Sequence, residues 1–225
     1  MFGLDDWLAG FSDGTTIGLV AVIAIVLGLR HATDPDHVAA VTTLIAGGRD
    51  RAARTAARLG FTWGLGHATS LFAFGLPIVL YRVYLPGPVQ TAAETTVGLL
   101  IVTLALWLLV RWHHGHAHGE RVRPARSARQ AYGIGLVHGM GGSAGVGVLL
   151  LATIHDRRVA VVALAVFAIC TAASMAALTA GWGLTLTRPA VQRSFDRLVP
   201  ALGVASLGFG AWYALGALSL APYYF

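Results

Sequence analysis

Within the ten residues Leu29–Val38 the chain places two imidazoles (His31, His37), two carboxylates (Asp34, Asp36) and the guanidinium of Arg30. The flanks are apolar on both sides, Ile17–Leu27 before and Val38–Ala46 after. Ionisable groups in such a run cost about 2.5–3.5 kcal/mol each in a bilayer. They call for a partner: another side chain, water in a cavity, or a bound cation. Imidazole nitrogen with carboxylate oxygen suits borderline divalent metals such as Ni(II), Co(II) and Zn(II), whereas Cu(I) would want sulfur, and this segment holds none. The metal-free alternative is a polar network in which Arg30, always protonated, neutralises one carboxylate.

Pro35 shapes the backbone that presents these groups. It lacks an N–H and clashes with the carbonyl four residues back, so a helix cannot pass through it unbroken. Asp34-Pro35 also reads as an N-cap followed by a first helical residue. On a continuous helix His31, Asp34 and His37 would share one stripe and Asp36 would point elsewhere. Unwinding at the break would bring Asp36 round. Broken helices near the membrane midplane are where many transporters hold ions, because freed backbone groups can join the coordination.

The elements that must carry this segment are membrane helices. Of 225 residues, 56% are hydrophobic and only 12% charged, against about 25% charged in soluble domains. The mean hydropathy is +0.69. Apolar runs near 20 residues predict an all-α polytopic membrane protein. Six spans are expected, near 15–47 (broken at Pro35), 59–80, 94–112, 131–154, 159–184 and 198–219. The net charge of +6 comes entirely from arginine, since there is no lysine. Twelve arginines fall in the stretches 48–58, 111–130 and 185–197, and only Arg82, Arg157 and Arg158 lie on the other side with an acidic N-terminus. The positive-inside rule then puts both termini outside. This is a charge pattern of loops, not of a nucleic-acid surface. The single cysteine, Cys170, excludes an internal disulfide and a cysteine-based metal cluster,. Asp5, Asp6 and Asp13 at the start do not read as a cleavable signal peptide,.

The two halves resemble each other. Gly28-Leu29-Arg30-His31 matches Gly135-Leu136-Val137-His138, and Gly98 and Trp107 match Gly203 and Trp212. Three spans per half would give the halves opposite orientations, a 3+3 inverted repeat with a broken first helix. The expected organisation is one membrane domain over 1–225: a first repeat 1–112, a cytoplasmic His/Arg-rich loop 113–130, and a second repeat 131–225. After His138 the second half reads Gly139-Met140-Gly141-Gly142-Ser143-Ala144-Gly145. His138 is its one strong ligand, beside small residues that permit close helix approach or unwound backbone. The tract His113-His114-Gly115-His116-Ala117-His118 is placed in the loop, where such composition collects metal or binds it adventitiously.

The segment His31-x4-Asp36-His37, with Gly28-Leu29-Arg30 before it and Val38-Ala39-Ala40 after, resembles the H-x4-D-H signature of the nickel/cobalt transporter (NiCoT) family within the wider NicO group. Leu65-Gly66-His67-Ala68-Thr69-Ser70 is similar to that family's next-helix motif. The resemblance covers about residues 26–75 and implies metal selection by His31, Asp36, His37 and His67. Full-length family members are longer and carry an acidic, threonine-rich motif that this chain lacks, so it reads as a short six-helix relative.

The combined expectation is a secondary transporter of Ni(II) or Co(II), with Zn(II) less favoured, in a bacterial inner membrane. The metal site is expected at His31, Asp34, Asp36, His37, His67 and His138. No resident cofactor is required and no Walker motif is present,. The partners are the metal ion and the lipid bilayer, without nucleic acid, and a homo-oligomer stays open. The rivals are an exporter of the same metals, a metal-binding accessory protein, and an intramembrane metal-dependent hydrolase, for which there is no H-E-x-x-H motif. The topology has a direct check. In a Cys170→Ala background, a cysteine introduced within 113–118 is expected to escape an impermeant thiol reagent applied to intact cells. Labelling from outside would invert the assignment.

Overall fold

The computed structural model describes residues 4–46, 53–82, 86–118, 127–141, 148, 151–152, 154–186, 188–189, 191 and 194–222. Side chains are described for these except at 4–17, 42, 44–46, 53–54, 115–118, 186 and 195–196. Seven helices appear among the described residues: α1 (Leu4–His31), α2 (Pro35–Ala46), α3 (Ala53–Tyr81), α4 (Gly87–His118), α5 (Ala128–His138), α6 (Arg157–Leu186) and α7 (Phe195–Ala217). Four of them, α3, α4, α6 and α7, are long and apolar enough to cross a membrane, and α1 with α2 passes the same test jointly, as a broken span or a re-entrant loop bent by 49°. The chain is an all-helical, polytopic membrane protein. Leu19, Val22, Val26, Val162, Ile169 and Val204 face outward, the arrangement expected where the surrounding solvent is hydrocarbon.

Two expectations are corrected. The stretch 131–154 is not one continuous helix: α5 stops at His138, and Gly139–Gly141 turn. Residues 142–147, with Ser143 among them, lie outside the described residues. The tract His113–His118, expected in the 113–130 loop, instead forms the last turns of α4. Its only weak helix former is Gly115, and one interior glycine costs about 1 kcal/mol, too little to end a 32-residue helix. The side chains of His116 and His118, and residues 119–126 beyond them, lie outside the described residues.

The break at Pro35 is local and ordered. Thr33 N–H donates to Arg30 O at 2.8 Å and Asp34 N–H to His31 O at 3.1 Å, tightening the last turn of α1. Val38 N–H then donates to Asp34 O at 3.0 Å, starting α2. Because Thr33 turns to Arg30, the carbonyl of Leu29 loses its helical donor. The Ser174 hydroxyl of α6 supplies one at 3.0 Å. α5 ends the same way. Gly139 N–H returns to Gly135 O and Met140 N–H to Val137 O, and the freed Leu136 carbonyl accepts from Ser70 Oγ of α3 at 2.6 Å. Leu29 and Leu136 are 107 residues apart; Ser70 and Ser174 are 104 apart.

The helix crossings repeat with the same exchange. A Cβ on Gly28 of α1 would lie 2.7 Å from Phe167 O and 3.1 Å from Thr171 N of α6. A Cβ on Gly135 of α5 would collide with Trp63 O and lie 2.9 Å from His67 N of α3. On the other flank Gly98 of α4 packs against Ala214 of α7, and Gly203 of α7 against Leu109 of α4. Each first-half glycine thus sits on a second-half helix at the counterpart of the place where its own counterpart sits. The apolar clusters between these crossings join α1, α3 and α6 through Ala24, Leu71, Leu164 and Phe167. They also join the turn, α2, α3, α5 and α6 through Ala32, Val41, Trp63, Ala131 and Met175.

The α3–α5 contact therefore depends on glycine. Gly135→Val should force the helices apart and lower stability by about 1–3 kcal/mol, the usual cost of overpacking. Gly133→Val, at a position with open space around it, should leave stability nearly unchanged. Thermal unfolding of both variants in detergent checks the difference.

Candidate metal site

The two helix ends converge on one point. His31 is the last residue of α1 and His138 the last of α5, while Asp36 and His37 open α2 and His67 lies mid-way along α3. All five are buried, with exposures from 0 to 4%. The bend after His31 swings the start of α2, with Asp36 and His37, against the end of α1 and the end of α5.

His31 Nε2 and His67 Nε2 are 3.0 Å apart. His37 Nδ1 is 3.1 Å from Asp36 Oδ1. The other carboxylate oxygen, Asp36 Oδ2, lies 3.3 Å from His138 Nε2, at ion-pair distance but not aligned as a hydrogen bond. His37 is central: its ring centroid is 4.4 Å from that of His31, 4.5 Å from His138 and 4.9 Å from His67. Two ligand triads result, His31/His37/His67 and Asp36/His37/His138, the donor atoms of each lying within 4.8 Å of one another. Aromatic rings close the site symmetrically, with Phe167 5.7 Å from His31 and Trp63 5.7 Å from His138.

This donor set fits a divalent transition metal. His37 Nε2, His67 Nδ1 and His138 Nδ1 are buried without hydrogen-bond partners, an arrangement that is costly unless something uses the lone pairs. Two imidazole nitrogens bound to one ion at about 2.0–2.1 Å and at right angles stand about 3 Å apart, as the Nε2 atoms of His31 and His67 do.

Asp34, counted among the expected ligands, belongs to neither triad. It is 7% exposed and sits behind His31, with Oδ2 3.2 Å from Nδ1. Its other oxygen is 3.6 Å from Arg30 Nη2. It is placed to receive the Nδ1 proton of His31 and so to direct the Nε2 lone pair toward His67, the role outer carboxylates play behind metal-binding histidines,. The Leu65–Ser70 motif is likewise divided. Gly66 and Ser70 make the α3–α5 crossing, Thr69 Oγ1 accepts from Tyr132 Oη at 3.2 Å, and His67 faces the site. The exposed His113 and His114 lie at the far end of α4.

The polar residues Thr171, Ser174 and Glu94 had escaped the sequence reading. Thr171, fully buried, stands in α6 where His67 stands in α3, and donates to Phe167 O at 2.9 Å. Ser174 needed the tertiary structure to acquire meaning. Glu94 is 8% exposed and accepts from Gln90 Nε2 at 2.9 Å, while Gly141 packs against its backbone. It was detectable as the one acidic residue in the apolar run of α4,.

Comparison with known proteins bears on this cluster directly. Residues 17–114 match the NicO family, described as high-affinity nickel-transport protein. The match covers the first half of the chain, and in these residues the chain is similar to that family. The matched span includes four of the five residues in the triads, all but His138. A urease accessory protein, UreH, of Bacillus sp. (strain TB-90) is 25% identical over 86% of this chain and 90% of its own length. A candidate nickel/cobalt efflux system of Methanocaldococcus jannaschii is 28% identical over 44% of the chain and 47% of its own. The nickel transporter NicT of Mycobacterium tuberculosis is 35% identical over 39% of the chain and 23% of its own. The chain therefore spans under half the length of the latter two. No solved structure matches. The chain is an integral membrane protein with a buried His/Asp cluster, and the part of it that carries most of that cluster is similar to a nickel-transport family.

The position of Asp34 generates a graded expectation. Asp34→Asn should weaken Ni(II) binding by about 10–100-fold, the usual effect of losing an outer partner, while Asp36→Asn should weaken it more. Titration calorimetry on purified protein measures both, and equal effects would place Asp34 among the ligands.

Proposed function

We propose that this chain is a secondary transporter for Ni(II) or Co(II). Its working unit is a six-span, 3+3 inverted repeat in which α1–α2 and α5 with the residues after it are the two broken spans. The observation that carries the reading is the meeting of Asp36 and His37, from the first broken span, with His138, from the end of α5, in a buried cluster where His37 Nε2, His67 Nδ1 and both nitrogens of His138 make no hydrogen bond among the described residues. The exchanged serine caps and glycine crossings support the repeat. The arginine distribution supports termini outside and a bacterial inner-membrane setting. The names of two relatives, a nickel transporter and a candidate nickel/cobalt efflux system, favour the same cargo and leave both directions open.

In this mechanism the ion exchanges part of its water shell for imidazole and carboxylate. Ligands must be deprotonated to bind, so metal entry competes with protons or releases them. Rocking of one repeat against the other opens the cluster to alternate sides. A second reading draws on the likeness to a urease accessory protein along nearly the whole chain: the protein holds metal as an accessory to an enzyme without moving it across the membrane.

Proteoliposomes of known orientation separate these readings. The parent protein should carry Ni(II) or Co(II) down an imposed gradient, and the direction that responds to a proton gradient identifies import or export. His37→Ala and Asp36→Ala should abolish flux while remaining folded. Binding without flux in the parent would favour the accessory role, and variants that bind and carry metal like the parent would overturn the site.

A further inference from the structure

Resting on the metal-transport reading, we propose that the ion has two alternative positions in this cluster, sharing His37, one closed by His31 and the other by its second-half counterpart His138. The first position is His31, His37 and His67, three neutral imidazoles from the first half alone. The second is Asp36, His37 and His138, two imidazoles and a carboxylate drawn from both halves.

The geometry carries this in three ways. His31 and His138 are counterparts, each closing a helix with the carbonyl two residues earlier capped by the counterpart serine. They stand at nearly the same distance from His37, 4.4 and 4.5 Å between ring centroids, and each has its counterpart aromatic ring at 5.7 Å. The remaining donors separate: His31 and His67 pair through Nε2, while Asp36 Oδ2 faces His138. His37 has one unpartnered nitrogen, Nε2, because Nδ1 faces Asp36. One such nitrogen serves one ion, so the positions are occupied in turn and not together.

The difference in chemistry gives the step a direction of consequence. Moving from the first position to the second replaces two neutral imidazoles by a carboxylate and one imidazole, so the ion gains a negative partner as it engages the second half. His37 stays attached throughout, and the dication is never without protein ligands in a low-dielectric interior, where an unpaired charge is expensive. Thr171, standing where a symmetric His67 would be, leaves the second position one imidazole short and open to Asp36.

Co(II) is the probe, because its visible absorption and X-ray absorption fine structure count imidazole and carboxylate ligands. The full-length parent in nanodiscs should bind one Co(II) with two to three imidazoles. His67→Gln should retain Co(II) with two imidazoles and a carboxylate, and His138→Gln should retain it with three imidazoles. Each should bind about 10–100-fold more weakly, give a spectrum distinct from the other, and have lost flux. Identical ligand sets in the two variants, or loss of binding in both, would overturn the two positions in favour of one site. So would four imidazoles on a single ion in the parent, a count that decides the matter even where a variant does not fold. A parent that binds no Co(II) overturns the transport reading itself, and the proposal falls with it.

Discussion

A backbone carbonyl that loses its helical donor in a membrane protein needs another donor from the protein, and two helices here end with such a carbonyl,. Leu29 and Leu136 lose their helical donors because the chain turns after His31 and after His138. Each unsatisfied group would cost several kcal/mol in hydrocarbon. Ser174 and Ser70 remove that cost from across a helix interface. The breaks are what allow histidines to sit at helix ends facing one another, so the site depends on these two hydroxyls and on the packing that brings them close.

That packing is made by absence of side chains. Gly28 on α6 and Gly135 on α3 let backbone meet backbone, and dispersion contacts and interhelical hydrogen bonds then hold helices that hydrophobicity cannot drive together in lipid. The same approach fixes His67 against the end of α5, since Gly139 packs on the His67 backbone. The ring positions thus follow from backbone contacts, with aromatic walls at Trp63 and Phe167, and the imidazoles need little rearrangement to meet an ion.

The balance of charge is local. Asp34 is satisfied by His31 and Arg30, which leaves Asp36 as the carboxylate in contact with the triads. The cluster holds one such carboxylate and four imidazoles, brought together from α1, α2, α3 and α5.

The sequence alone determined the parts that depend on residue type and spacing along the chain. The hydrophobic runs specify membrane helices. Pro35 enforces a break, and the five ionisable groups of Arg30–His37 mark the site by their cost in lipid. His138 was legible only through three identities between Gly135–His138 and Gly28–His31 of the other half. Other features were decided by tertiary structure because they rest on contacts between residues far apart. The end of α5 at His138 has no proline to announce it; glycines that permit a turn also permit a crossing, and only the Ser70 cap shows which occurs. Asp34 and Asp36 are alike in sequence, and the direction of the turn after His31 puts one behind a histidine and the other among them. Ser174 and Thr171 are ordinary small polar residues in an apolar run, and they gain a role only from the helix end that packs against them.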